Sequence, residues 1–200
     1  MKVRLGITGG IGSGKSFLSK LLIKKGIPVF DSDFEAKRLM LTDDEIIFSL
    51  KSLLGEHVYQ DGEINKPLLA SYIFTSAENA SKVNSIVHPY VKNEFLKWAD
   101  RYFLLGYNIV AIESAILFEA GFNDIVDKIV MVHAPLEIRV DRVIERDNTN
   151  REKVMERIKS QMDDDVKISM SDFVIENDGR FLLDSQVDKL ISELQLIKDI

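Results

Sequence analysis

The chain of 200 residues contains no cysteine, so disulfides, thiolate zinc sites and a cysteine nucleophile are all excluded. That absence suits a reducing compartment, and a cytoplasmic protein is expected. Long apolar runs are missing too: nothing approaches the about eighteen residues of a membrane span. The apolar stretch after Met1-Lys2 is interrupted by Gly6, Gly9 and Gly10, which speaks against a cleavable signal, so no membrane partner is expected. Positive charge is in short supply. A formal net charge of −6 argues against a general nucleic-acid binder, and an anionic substrate would have to be captured by a local basic cluster. There is no internal repeat, low-complexity tract or proline-rich linker. What is present is a hydrophobic content of 46%, enough for one well-packed domain and marginal for two.

The most informative stretch is Gly9-Gly10-Ile11-Gly12-Ser13-Gly14-Lys15-Ser16, which fits G-x-x-x-x-G-K-[ST]. This pattern holds the polyphosphate of a nucleotide with its magnesium ion. Glycines let the backbone turn tightly, so that N–H groups from Gly10 to Phe17 can point at phosphate oxygens. Lys15 supplies a mobile charge for the β- and γ-phosphates, and the Ser16 hydroxyl is a metal ligand. Val3, Leu5 and Ile7 alternate as in a strand before the loop. Leu18, Leu21 and Leu22 follow with helical spacing, which predicts a helix over Lys15 to Lys25 with its positive end on the same anion.

Four further short apolar runs read as buried strands: Ile27 to Phe30, Ile109 to Ile112, Ile129 to Val132 and Phe173 to Ile175. Helical segments separate them. The expectation is a single α/β domain over 1–200, with a doubly wound sheet of five mainly parallel strands and helices on both faces. Residues 40–105 are too long for a simple crossover. They read as a helical insertion carrying the second substrate's site, with a long helix from about Ala77 to Leu105 broken near Pro89.

Ligands of such sheets bind beyond the carboxyl ends of the strands, which draws attention to Asp31, Asp33 and Glu113. A strand-end aspartate is equally a good helix N-cap, and Asp33 precedes the helical run Phe34 to Met40. Arg139, Arg142 and Arg146 are spaced to share one helical face. The polar turn Asp147 to Asn150 then ends that helix, and Thr149-Asn150-Arg151-Glu152 reads as a capping box opening another. Helix, turn and helix over 138–165 predict a closing lid whose arginines meet the phosphates. His57 and His133 are expected to be structural, and Asp163-Asp164-Asp165 a solvated turn.

A nucleotide switch, a motor and a kinase all remain open on the P-loop alone. The only Asn-Lys pair, Asn65-Lys66, continues Pro67-Leu68, so the guanine-reading motif N-K-x-D is absent. Compact size, the helical insertion and the arginine lid favour a small-molecule kinase.

Several stretches together resemble the dephospho-CoA kinase family: Thr8 to Ser16, Val29-Phe30-Asp31-Ser32-Asp33, Ile86-Val87-His88-Pro89, Leu117-Phe118-Glu119-Ala120-Gly121, Arg157 to Gln161 and Ser171 to Asn177. They run in the family's order along nearly the whole chain. The resemblance implies transfer of the γ-phosphate of ATP, with Mg²⁺, to the ribose 3′-hydroxyl of dephospho-CoA, the last step of coenzyme A synthesis. It implies Asp33 as catalytic carboxylate beside Lys15 and Arg142, and Arg142, Arg146 and Asn177 on the nucleotide. It further implies His88 and Glu119 on the acceptor side, and Ser16 with Glu113 at the metal. Lys167 falls at a frequently basic position with no assigned role. Glu113-Ser114-Ala115-Ile116-Leu117-Phe118-Glu119 departs from the family's Asp-x-Pro-Leu-Leu-Phe-Glu, and Glu113 is one methylene longer than the usual aspartate. Arg139 stands where the family is often uncharged, and ranks below Arg142. A kinase of another nucleoside, nucleotide or small alcohol, or a nucleotide-hydrolysing switch, is the alternative.

Overall fold

The structure, a computed structural model, describes residues 2–180 and 182–196. Strand β1 (Val3–Thr8) runs through the glycine loop into α1 (Lys15–Lys24), and the chain returns as β2 (Val29–Asp31). Helices α2 (Ser32–Thr42) and α3 (Asp44–Leu54) follow. A short hairpin, β3 (Tyr59–Gln60) and β4 (Glu63–Ile64), leads to α4 (Lys66–Thr75) and α5 (Ala77–Leu104). The remainder is β5 (Ile109–Glu113), β6 (Lys128–His133), α6 (Leu136–Asp147), α7 (Arg151–Lys159), α8 (Asp164–Ser169), β7 (Phe173–Glu176) and α9 (Leu183–Leu196). Two compact units result, one of Met1–Phe30 with Trp98–Ile200, the other of Asp31–Lys97. Most of the expected insertion, 40–105, falls in the second.

The five long strands form one sheet in the order β2-β5-β1-β6-β7, with β1 parallel to both β5 and β6, and β6 parallel to β7. Each expected strand is found within a residue or two of its apolar run. Val3, Leu5 and Ile7 pack with Leu18 and Leu22 of α1 and with Val187, Leu190 and Leu194 of α9, closing one face. The other face of β1 is covered by the segment after β5: a Cβ on Gly6 would come 2.7 Å from Leu117 Cδ1. Burial on both sides is why β5 and β6 are apolar almost throughout, while β1 sets Val3, Leu5 and Ile7 between Arg4, Gly6 and Thr8. With β1 flanked by β5 and β6, the strand order reverses at its carboxyl end, and the glycine loop leaves the sheet at that switch point.

Three local expectations are corrected. Helix α5 does not break at Pro89 but continues through it. Proline removes one backbone hydrogen bond and crowds the carbonyl four residues back. Here Val83, Val87, Val91 and Phe95, all buried at helical spacing on both sides of Pro89, hold the helix together. The N-cap of α7 is Asn150, which accepts from Lys153 N at 3.0 Å, so Thr149 and Glu152 form no capping box. Asn148 takes a left-handed conformation (φ 47°) to end α6, which leaves Asn150 at the start of the next helix. Asp163 is the N-cap of α8 rather than part of a solvated turn.

In the second unit, Ile46, Leu50, Val58, Leu69 and Val87 are buried. The Tyr59 hydroxyl donates to Met40 O at 2.6 Å, and its burial pushes the phenol up to about 12. His88 lies inside α5, where burial, assisted by the Lys92 charge, lowers its imidazole pKa and favours the neutral ring.

Candidate active site

The loop after β1 is shaped by what surrounds it. Gly14 has φ +103°, a left-handed conformation that side chains rarely adopt, and a Cβ there would overlap Asn177 Nδ2. Asn177 follows β7 and donates from Nδ2 to Ser13 O at 2.7 Å. A Cβ on Gly10 would overlap the Arg139 guanidinium. Lys15 Nζ curls back to donate to Gly9 O at 2.9 Å and Gly10 O at 3.2 Å. Thr8 Oγ1 and Ser13 Oγ are buried without a hydrogen-bond partner among the described residues. Buried orphan hydroxyls at a glycine-rich helix start are unusual, and suit a loop whose polar groups await an anion.

Ser16 and Glu113 meet. Ser16 Oγ donates to one Glu113 carboxylate oxygen at 2.9 Å, and Ser19 Oγ donates to the other at 2.6 Å. A hydroxyl beside a carboxylate is a hard oxygen donor set of the kind magnesium takes with phosphate and water. Ser19 was missed in the sequence. The available signal was a polar residue one helical turn beyond Ser16, on the face of α1 that is buried.

The arginine face of α6 has three separate fates. Arg139 is 2% exposed, pairs with Asp164, and lies against Gly10. Its Nε has no partner among the described residues. Arg142 Nη2 donates to Asn177 O at 3.0 Å, and its Nη1 lies 3.5 Å from Gly12 O and Ser13 O. Arg146 turns instead to Asp147, 2.7 Å away. The same carboxylate also accepts from Arg157 of α7 at 2.7 Å. Hydrogen bonds from Arg146 and Arg157 hold Asp147 well below the usual carboxylate range.

Helices α6 and α7 are further tied by the paired contacts of Arg151 with Glu137, both 2.7 Å, and by a small core of Val140, Val143 and Val154. Ile11 of the loop packs on that core, and Ile11 N donates to Gln161 Oε1 at 2.9 Å. Segment 138–165 therefore touches the tip of the phosphate loop directly. Nothing in the sequence marks Gln161 as that contact.

Lys167 is wholly buried, donates to Ala115 O at 3.0 Å, and lies 3.2 Å from the Glu119 carboxylate. Glu119 also accepts from Met162 N at 2.9 Å. A buried ammonium needs such partners to offset its lost hydration. Lys167 thus joins α8 to the segment after β5, and Glu119 joins that segment to Met162 just before α8. His133, at the end of β6, pairs through Nδ1 with Glu176 at 2.8 Å across the register to β7. Asp33 lies in the first turn of α2, while Asp31 caps that helix by accepting from Phe34 N at 2.9 Å. Asp33 and His88 both belong to the second unit.

A parallel sheet with a phosphate loop at its switch point, a Ser–carboxylate pair beside the loop lysine, and arginines from a following helical hairpin make this a P-loop kinase. The sequence profile of the dephospho-CoA kinase family matches residues 3–182, and the chain belongs to that family. A dephospho-CoA kinase of Bacteroides fragilis is 50% identical over 97% of this chain and 94% of its own length. One from Porphyromonas gingivalis is 38% identical over 96% and 95%. Among solved structures, one from Thermus thermophilus has a TM-score of 0.82 at 33% identity, covering 100% of this chain and 98% of its own. Dephospho-CoA kinase from Campylobacter jejuni has a TM-score of 0.70 at 21% identity, covering 97% and 98%, a likeness of fold.

Proposed function

We propose that this chain transfers the γ-phosphate of ATP to the ribose 3′-hydroxyl of dephospho-CoA, giving coenzyme A and ADP. The observation that carries the reading is the Ser16–Glu113 pair beside Lys15, in a chain of the dephospho-CoA kinase family. Gly10, Gly12 and Gly14 offer backbone N–H groups to the phosphates, and Lys15 supplies the mobile charge. The N–H groups of Ile11, Ser13 and Phe17 donate to Gln161 Oε1, Gly10 O and Gly14 O and line the same loop. Ser16 and Glu113 would hold the metal. Magnesium, when bound there, supplies charge that offsets that of the phosphate oxygens.

Asp33 accepts the acceptor's hydroxyl proton. Because phosphoryl transfer is largely dissociative, that proton leaves late, and the carboxylate serves as much to align the hydroxyl as to remove its proton. Arg142 and Asn177 sit on the nucleotide, Arg146 joins them as the lid closes, and His88 and Glu119 contact the acceptor. No helix among the described residues is long and apolar enough to cross a membrane. Both proposed substrates are water-soluble anions, and a cytoplasmic location is proposed with them.

The decisive measurement is mass spectrometry of dephospho-CoA incubated with the protein, ATP and Mg²⁺. Gain of one phosphoryl group is expected, and its absence with folded protein would sink the assignment. The role of Arg142 has its own test. If its guanidinium gains most from charge in the transition state, Arg142→Ala lowers kcat more than it raises KM for ATP. The opposite split would make Arg142 a binder of the ground state.

A further inference from the structure

Strand β7 is an edge of the five-stranded sheet, with β6 on one side of it only. Neighbouring residues of a strand send their backbone groups to opposite sides. Asn177 N donates inward to His133 O at 2.7 Å, so Glu176, one residue earlier, turns its N–H and C=O outward to the open edge. Backbone groups at such an edge cost stability when shielded unpaired and invite another strand when exposed. Here one side chain takes both. Gln186 Oε1 accepts from Glu176 N at 2.9 Å, and Gln186 Nε2 donates to Glu176 O at 2.9 Å. A primary amide carries an acceptor and a donor in one plane, and this one stands where a further strand would pair.

Gln186 acts from a fixed base. It lies in the first turn of α9, next to Val187 and one turn before Leu190, both buried against the sheet. The Glu176 side chain is held as well, by His133 Nδ1 at 2.8 Å. Strand β7 thus ends on a residue held at its N–H, its C=O and its carboxylate. The next residue is the junction of the nucleotide site. Asn177 is 9% exposed, its Nδ2 donates to Ser13 O at 2.7 Å, and its carbonyl accepts from Arg142 Nη2 at 3.0 Å. Gly14 packs so closely that a Cβ there would overlap Nδ2. A shift of Asn177 therefore disturbs the phosphate loop and the arginine helix together.

We propose that Gln186 is a positioning residue for the nucleotide: by closing the edge of β7 at Glu176, it holds Asn177 where that residue ties the phosphate loop to Arg142. The proposal rests on the reading of this loop as an ATP site. It gives a residue of the last helix, outside the site itself, control over ATP affinity.

Gln186→Leu keeps the length of the side chain and removes both hydrogen bonds. Kd for ATP with Mg²⁺, read by calorimetric titration, rises about tenfold, and KM for ATP rises with it, while KM for dephospho-CoA is unchanged. Gln186→Glu keeps an acceptor for Glu176 N, but its carboxylate cannot donate to Glu176 O, and it shows the same split. A double-mutant cycle then separates positioning from packing. With Asn177→Ala in place the contact to Ser13 is already lost, and adding Gln186→Leu changes Kd by less than about threefold. An equal rise in both backgrounds would show that Gln186 does not act through Asn177, and would overturn the proposal. So would a lowered thermal midpoint with Kd for ATP unchanged, the mark of a merely structural edge. If Gln186→Leu does not fold, the cycle is run with Gln186→Glu and read in the same way. Wild-type protein that binds no ATP would instead bring down the nucleotide reading itself, a result distinct from all of these.

Discussion

Lys15→Ala removes nearly all turnover and weakens ATP binding together. The Lys15 ammonium donates to Gly9 O and Gly10 O, at 2.9 Å and 3.2 Å. Those are carbonyls of the loop it must leave when phosphate arrives, so the side chain exchanges neutral acceptors for charged ones. Charge-assisted hydrogen bonds contribute about 1.5–3 kcal/mol each. Losing one in the ground state weakens ATP binding by roughly tenfold to a hundredfold. Losing it where charge builds on the transferring phosphoryl group costs about a further 10²- to 10³-fold in kcat. Calorimetric titration with ATP and Mg²⁺ measures the first, and steady-state rates the second. Stabilisation of the fold by ATP falls with the affinity, so the rise in Tm on adding nucleotide shrinks as well. Lys15→Arg does not rescue, because a planar fork cannot follow the tight path that a four-carbon ammonium takes. Unaltered activity in Lys15→Ala would undermine the P-loop assignment.

Asp33→Asn is expected to lower kcat by roughly 10²- to 10⁴-fold with little change in ATP affinity. Asp33 is not the cap of α2: Asp31 takes that role by accepting from Phe34 N at 2.9 Å. What Asp33 contributes to the helix is a negative charge in its first turn, about 0.3–1 kcal/mol. Asparagine keeps the size of the side chain and gives up that charge, and the thermal midpoint is measured beside the rate on the same variant. A near-normal kcat would remove Asp33 from the mechanism. A large loss of stability in parallel with the rate would return it to a structural role.

The sheet and the phosphate loop were legible in the sequence because their signals are local. A strand covered on both faces tends to be apolar along its length, so Ile109 to Ile112 can be read without knowing its neighbours, and the alternation of Val3, Leu5 and Ile7 marks β1 just as locally. A loop that wraps phosphate needs backbone freedom followed by Lys-Ser, and the octet at Gly9 carries both. Helix ends were less legible. Thr149 and Asn150 are each competent caps, and only the left-handed turn at Asn148 settled which of them starts α7. Pro89 shows the same limit from the other side. Propensity alone breaks the helix there, and buried valines on neighbouring turns keep it.

The arginines separate most clearly what belongs to the sequence and what to the tertiary structure. Spacing put Arg139, Arg142 and Arg146 on one face of one helix, as the structure has them. It could not assign Arg139 to Asp164, Arg142 to the carbonyl of Asn177, or Arg146 to Asp147, because those partners come from other segments or from the way the turn after α6 runs. Ser19, Gln161 and the buried Lys167–Glu119 pair entered the site for the same reason. By itself the sequence determined that a triphosphate loop leaves the first strand of a parallel sheet, since periodicity and glycine spacing are properties of neighbouring residues. Which side chains converge on that loop was decided by the order β2-β5-β1-β6-β7, which brings Glu113, Arg142 and Asn177 from distant parts of the chain to one end of the sheet.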